Sequence, residues 1–205
     1  MFTGIVQGIA SLQTIRQDGD ITRLAVAFPN GALANVQQGA SISINGCCLT
    51  VTAFSGDEAS FDLVPETMNR TMFHTLKDGA TVNFERSLKF GDEVGGHILS
   101  GHVDVVAELV NVETLQESRI VTFKVSPDWT KYLFTKGYIA VQGASLTLTG
   151  VDKKNGSFTI SLIPETLAKT TFGGMRVGAL VNIEIDRTTQ VVVDTVERMM
   201  REDRA

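Results

Sequence analysis

The residue types able to do chemistry in this 205-residue chain fall into two short, matching runs. Gly46-Cys47-Cys48-Leu49-Thr50 offers a thiol two positions before a threonine, and Gly143-Ala144-Ser145-Leu146-Thr147 offers a hydroxyl in the same place. Alternate residues of a strand share a face, so each run sets a nucleophile-type group beside a threonine hydroxyl. A second pair differs more sharply. Gly4-Ile5-Val6 matches Gly101-His102-Val103, and only the later copy carries a side chain that titrates near neutral pH. A cavity lined this way, once per run, would bind two similar ligands in pseudo-symmetric pockets. Other chemistries lack their motifs. There is no G-x-G-x-x-G, no phosphate loop and no H-E-x-x-H. With His74, His97 and His102 as the histidines and no Cys-x-x-Cys, no metal site is expected.

Each candidate also has an ordinary structural explanation. A strand cysteine is more often a small core residue than a nucleophile. A threonine can simply favour β structure. The Pro-Glu-Thr at 65–67 and again at 164–166 can be a capped helix start, and His102 can be a surface residue. The elements that must position these residues give a reason to look further, because they come in duplicate. Displaced by 97, Gly4, Val6, Ala10 and Leu12 fall on Gly101, Val103, Ala107 and Leu109. Ile42, Gly46, Leu49, Thr50 and Thr52 fall on Ile139, Gly143, Leu146, Thr147 and Thr149. After a two-residue insertion near Gly156, Leu63-Val64-Pro65-Glu66-Thr67 falls on Leu162-Ile163-Pro164-Glu165-Thr166, and Val82, Asn83 and Glu85 fall on Val181, Asn182 and Glu184. The chain is a tandem duplication, with a Gly-rich junction near 90–97.

Apolar alternation predicts strands near 3–13, 22–28, 40–45, 48–54, 59–64 and 81–86, about six per module. The fold class expected is all-β dominated: two tandem six-stranded antiparallel β-barrels with short helices, plus a C-terminal α-helix. The divisions are 1–96, 97–188 and a helix over 189–205. Ser126-Pro127-Asp128 predicts a helix start running through Leu133, and Pro29-Asn30 begins the matching segment. The last helix has an apolar stripe including Val191, Val192, Val196, Met199 and Met200 and no counterpart in the first module, so self-association is its expected use; folding back on its own barrel is the alternative.

Composition narrows the partners. A net charge of −5 argues against nucleic acid. No apolar run approaches the roughly 20 residues of a membrane span. The start has no basic, apolar leader, so the cytoplasm is the expected location. Cys47 and Cys48 are adjacent and point to opposite faces, so no disulfide is expected.

The start Met1-Phe2-Thr3-Gly4-Ile5-Val6, the strand Ile44-Asn45-Gly46-Cys47-Cys48-Leu49-Thr50-Val51, the run Gly95 to Asp104, and Ser145-Leu146-Thr147 with Ile163-Pro164-Glu165-Thr166 resemble the riboflavin synthase family of the alpha-subunit type. The resemblance runs from residue 1 to about residue 200. It implies dismutation of two 6,7-dimethyl-8-ribityllumazine molecules. One gives a four-carbon unit to the other, yielding riboflavin and 5-amino-6-ribitylamino-uracil, with no cofactor and no metal. It implies a homotrimer held by C-terminal helices, with sites between the N-terminal barrel of one protomer and the C-terminal barrel of the next, and lumazine synthase as a candidate partner.

The substrate contacts that the resemblance implies in the first barrel are Gly4, Ile5, Val6, Cys48, Leu49, Thr50, Asp62, Leu63, Val64, Pro65, Glu66 and Thr67. In the second they are Gly101, His102, Val103, Ser145, Leu146, Thr147, Ser161, Leu162, Ile163, Pro164, Glu165 and Thr166, with Lys136 reaching across the protomer boundary. His102 and Thr147 are expected to assist proton movement. Ser41, Cys48 and Ser145 are expected to act at C7 of the acceptor. Phe2 is expected to close over the rings and Asp186 to orient polar groups. Gln142 departs from the family, whose second repeat usually has an acid there. The competing readings are a non-catalytic lumazine- or flavin-binding fluorescent protein, and a scaffold without ligand.

Overall fold

A computed structural model describes residues 1–203; the last two positions of the expected C-terminal helix lie outside the described residues. β1 (Gly8–Asp18), β2 (Ile21–Ala27), β3 (Ser41–Ile44), β4 (Cys47–Ser55), β5 (Glu58–Leu63) and β6 (Thr81–Arg86) close into one barrel. β7 (Val105–Thr114), β8 (Arg119–Lys124), β9 (Tyr138–Val141), β10 (Ala144–Asp152), β11 (Ser157–Leu162) and β12 (Leu180–Ile185) close into a second. Both run in the same cyclic order, β1-β2-β5-β4-β3-β6 and β7-β8-β11-β10-β9-β12, with all pairs antiparallel. Their register shifts also repeat. Leu12/Thr14 and Val51/Ala53 in the first barrel match Leu109/Asn111 and Leu148/Gly150 in the second. An extra residue bends and twists a strand, which closing so small a sheet requires.

Period-two burial builds each interior. Leu24, Val26, Ile42, Ile44, Val51, Phe61, Leu63 and Phe73 are fully buried in the first barrel; Phe123, Ile139, Val141, Phe158, Ile160 and Leu162 fill the second. The loops after β5 and β11 form α1 (Pro65–Arg70) and α2 (Pro164–Lys169), each followed by a 3-10 turn. Their N-caps, Val64 and Ile163, make no side-chain cap bond; the fixed φ of proline at the first helical position starts these helices instead. The expected helix at 127–133 is a 3-10 helix, Pro127–Tyr132. The first strand begins at Gly8, not at residue 3, because the chain before it leaves this barrel for the other one.

The barrels meet across a seam with approximate two-fold symmetry. The β3–β4 turn, Asn45-Gly46, lies back to back with the β9–β10 turn, Gln142-Gly143. All four residues have positive φ. A Cβ on Gly46 would sit 2.6 Å from the Gly143 nitrogen, and one on Gly143 would sit 2.9 Å from the Gly46 nitrogen. Asn83 Nδ2 donates to the Gln142 carbonyl at 3.0 Å, and Asn182 Nδ2 donates to the Asn45 carbonyl at 2.9 Å. The same asparagines accept with Oδ1 from the backbone N–H of Thr171 (2.8 Å) and Met72 (2.7 Å), so each ties a barrel strand to the loop of the opposite half. Asn45 Oδ1 and Gln142 Oε1 accept from the N–H of Asn83 and Asn182. That is the reason for Gln142: it is 2% exposed, and a neutral amide does there what a carboxylate could do only as a buried charge.

α3 (Arg187–Glu202) follows β12 directly. Asp194 and Glu197 accept from Lys131 Nζ, and Asp194 also accepts from the Tyr132 hydroxyl at 2.6 Å, which moors the helix to the second barrel. Its apolar stripe, Val191, Val192, Val196, Met199 and Met200, remains exposed. No described helix is long and apolar enough to cross a membrane.

Replacing Gly46 with alanine should cost about 3 kcal/mol, since a left-handed backbone position and a seam with no room for a methyl group are both violated. Urea unfolding measures this. Gly56→Ala, also at positive φ but in open space, should lose clearly less.

Candidate active site

The segment preceding each barrel crosses the seam and lies against the other. Gly4 accepts with its carbonyl from the N–H of Ser145 in β10, and Gly101 accepts from the N–H of Cys48 in β4, both at 2.8 Å. Two buried carboxylates hold these crossings. Glu85 in β6 accepts from Thr3 N (2.6 Å), Thr3 Oγ1 (2.7 Å) and Gly4 N (3.0 Å). Glu184 in β12 accepts from Ser100 N (2.8 Å), Ser100 Oγ (2.6 Å) and Gly101 N (2.9 Å). Hydrogen bonds to a charged group each contribute about 1.5–3 kcal/mol net. Burial pushes the Glu85 carboxyl above its ordinary range, while the Thr3 and Gly4 donors pull it back.

The expected grouping of contacts by half is therefore corrected. Gly101, His102 and Val103 join Cys48, Glu66 and Thr67 around a first-barrel cavity of about 700 Å³ that Arg70, Asp104, Trp129 and Arg187 also line. Gly4, Ile5 and Val6 join Ser145, Leu146, Glu165 and Thr166 around a second-barrel cavity of about 200 Å³ bordered by Lys169. A residue's place in the repeat does not give its barrel, because the first few residues of each repeat are exchanged.

Strand alternation sorts the remaining candidates. Cys47 faces the first core and burial pushes its thiol up to about 12, whereas Cys48 is partly exposed at the cavity. Ser41 pairs with Thr50 across β3–β4 and Ser43 with Cys48, so Ser41, Cys48 and Thr50 share the outer face; Thr147 and Ser145 do the same in β10. Asp62, Val64, Pro65, Ser161, Ile163 and Pro164 are exposed beside them. β4–β5 pairing begins at Val51–Phe61 and β10–β11 pairing at Leu148–Ile160. Cys48–Thr50 and Asp62–Val64, like their counterparts, lie beyond these ladders, where a planar ligand edge can pair with strand backbone. Leu49, Leu63 and Leu162 are core residues and offer only backbone there. Phe2 does not project into either cavity. It is 1% exposed, packs with Leu99 and Ala140 against Cys48, and bridges to Leu99 by two backbone bonds, because an unpaired aromatic ring is most stable out of water. Lys136 is exposed, with φ 69°, just before β9, and lines neither cavity. Asp186 accepts from Thr189 N and Oγ1 as the N-cap of α3.

Several residues of the site carry no assigned role in the sequence alone. His97 is buried, stacks on Tyr138 with ring centroids 5.1 Å apart, and places Nδ1 2.6 Å from Ser145 Oγ. Burial holds its pKa below the ordinary value, with the Asp186 charge opposing. A neutral imidazole next to a serine hydroxyl can accept that proton, the arrangement that activates a serine. Glu85 and Glu184 were visible as a repeated pair but not as the holders of the crossing segments.

Comparison with known proteins agrees with the duplicated fold. A family model described as the lumazine binding domain matches twice, at residues 3–87 and 100–186. The riboflavin synthase of Escherichia coli (strain K12) is 47% identical over 201 residues, covering 98% of this chain and 93% of that protein. Crystal structures of LumP complexed with riboflavin and with 6,7-dimethyl-8-(1'-D-ribityl) lumazine superpose with TM-scores of 0.85 and 0.82, at 29% and 28% identity, covering 91% of this chain and 100% of those.

His97 gives the protein a pH signature. Its folded pKa lies below the unfolded value of about 6.5, so the folded state binds fewer protons between the two values. Its contribution to stability is complete above about 6.5 and is lost as the pH falls below it. Urea midpoints measured at about pH 7.5 and about pH 5.5 should fall more for the unaltered chain than for His97→Gln.

Proposed function

The chain belongs to the lumazine-binding riboflavin synthase family, and from that premise we propose that it dismutates two molecules of 6,7-dimethyl-8-ribityllumazine into riboflavin and 5-amino-6-ribitylamino-uracil. The observation that carries this is the pair of pseudo-symmetric cavities, each completed by the segment that precedes the other barrel. A reaction between two identical heterocycles in opposite roles needs two similar seats with different chemistry. The cavities share the Glu-Thr pair of a short helix start and a crossing glycine, and they differ in Cys48 against Ser145 and His102 against Ile5. Holding both rings in register contributes on the order of 7–11 kcal/mol in the best cases.

In this reading the backbone beyond the β4–β5 and β10–β11 ladders pairs with the pyrimidine edges. Cys48, with Ser41 nearby on the same face, or Ser145 with His97 adds to, or positions water at, C7 of the acceptor. His102 and Thr147 move the proton lost from the C7 methyl group of the donor. His102 lines the first-barrel cavity, whereas Thr147 follows Ser145 and Leu146 of the second-barrel cavity in β10, so the two meet over one pair of rings only when the first-barrel cavity of one protomer faces the second-barrel cavity of another. The uncovered stripe of α3 supports such an assembly as a homotrimer. Lys136, exposed and outside both cavities, is free to reach across that boundary. The supplier of the lumazine, a lumazine synthase, is the expected partner, and the cytoplasm the expected location.

Incubation with the lumazine should produce yellow flavin, with its visible absorbance rising to one flavin per two lumazines. Stable fluorescent binding without flavin formation would instead assign the carrier role of the LumP structures. His102→Gln and Cys48→Ser should each lower turnover, by about a hundredfold where the group transfers a proton; full turnover in both would remove them from the chemistry. Val196→Asp should convert the trimer to monomers in analytical ultracentrifugation and abolish turnover with it, while leaving the barrels folded by circular dichroism.

A further inference from the structure

Arg187 stands where a helix does not favour it. It is the first residue of α3, whose first turn carries no acid, and a cation at a helix N-terminus opposes the macrodipole. The guanidinium lies between the first turn of the helix and the crossing segment. Nη1 donates to Asp104 Oδ1 at 3.2 Å, and Nη2 donates to the carbonyl of His102 at 3.4 Å. Nη1 also reaches Gln190 Oε1, which keeps the guanidinium in place from the helix side. Asp104 is nearly buried, with a side chain 9% exposed; its other oxygen accepts from Ile185 N at 2.8 Å, and its own N–H donates to the Ile183 carbonyl at 2.9 Å.

The run Glu184–Arg187 thus grips the crossing segment on both sides of His102. Glu184 takes Ser100 and Gly101 upstream; Ile185 and Arg187 take Asp104 and the His102 carbonyl downstream. Between these grips the His102 side chain is exposed at the first-barrel cavity, so its direction is set by its backbone. A local departure from helix rules whose charge is met by the carboxylate of a site loop marks a functional constraint.

We infer that Arg187 is a positioning residue for the dismutation: with Asp104 it fixes the carbonyl of His102 and thereby the aim of the imidazole into the first-barrel cavity. The inference rests on the function proposed above. The same four residues lead directly into the helix whose apolar stripe is uncovered, so the aim of His102 and the placement of α3 are set by one rigid run.

The test uses the full chain with Arg187→Ala, Arg187→Lys, Asp104→Asn and the Ala/Asn double variant. It measures kcat by flavin formation, lumazine affinity by fluorescence titration and assembly by ultracentrifugation. Arg187→Ala should lower kcat about ten- to hundredfold, the scale of a small misplacement of a reacting group, with lumazine affinity and assembly unchanged. Lysine should restore part of the rate, because one ammonium reaches the carboxylate or the carbonyl but not both. Asp104→Asn keeps the shape and loses the charge; it should also lower kcat, and the double variant should be no worse than Arg187→Ala, since one interaction has been removed twice. If Arg187→Ala does not fold, the kcat of Asp104→Asn decides. Unchanged kcat in Arg187→Ala overturns the inference. So does weakened lumazine binding with kcat intact, which would make Arg187 a ligand contact, and so does a rate loss that follows loss of assembly. If the unaltered chain forms no flavin, the proposed function fails instead.

Discussion

Two glycine turns with no room for a Cβ at Gly46 or Gly143, Asn45-Gly46 and Gln142-Gly143, are pressed together where the barrels meet, and the buried side-chain amides of Asn83 and Asn182 find both their partners across that seam. A buried amide without a partner costs about 1–3 kcal/mol, so rotating or sliding one barrel on the other would release several such penalties together. The seam therefore behaves as a fixed joint. Each asparagine holds its own strand, the turn of the other barrel and the loop after the other barrel's short helix, which brings the two Pro-Glu-Thr helices into fixed relation with the opposite half.

Everything chemical depends on that joint because the crossing segments have no barrel of their own. Thr3-Gly4 is gripped by a carboxylate of the first barrel and lies on a strand of the second; Ser100-Gly101 is gripped by the second and lies on the first. A segment bonded to both sides of a seam keeps its place only if the seam does. Each cavity is thus a product of both halves, although each half closes a complete barrel.

Symmetry supplies two seats and small departures from it supply two roles. The first cavity is the larger, about 700 Å³ against about 200 Å³, and it receives the partly exposed Cys48 and the exposed His102. The second receives a serine whose hydroxyl meets a buried histidine. Charges follow the same division. Glu66 with Arg70 at the first cavity matches Glu165 with Lys169 at the second, and Arg187 and Asp104 are added at the first alone. The fold imposes a common geometry on both ligands and leaves a few side chains to distinguish them.

Much of this was legible in the order of residues. The duplication, six strands per half, the strand faces of Cys48, Thr50, Ser145 and Thr147, and the final amphipathic helix follow from local rules: side-chain alternation, turn glycines and helical spacing. These rules act between neighbours in sequence, so the sequence alone carries them. The exchange of residues 3–6 and 100–104 between barrels does not obey any local rule. An alternating apolar run reads as the first strand of the following barrel, and only the backbone bonds from Ser145 to Gly4 and from Cys48 to Gly101, between residues more than fifty positions apart, show it lying against the other barrel. The burial of Phe2, the neutral His97 beside Ser145 and the reach of Arg187 to His102 have the same origin. Each is a contact between residues far apart in the chain, made favourable by desolvation and hydrogen bonding at a seam that exists only once both barrels have closed.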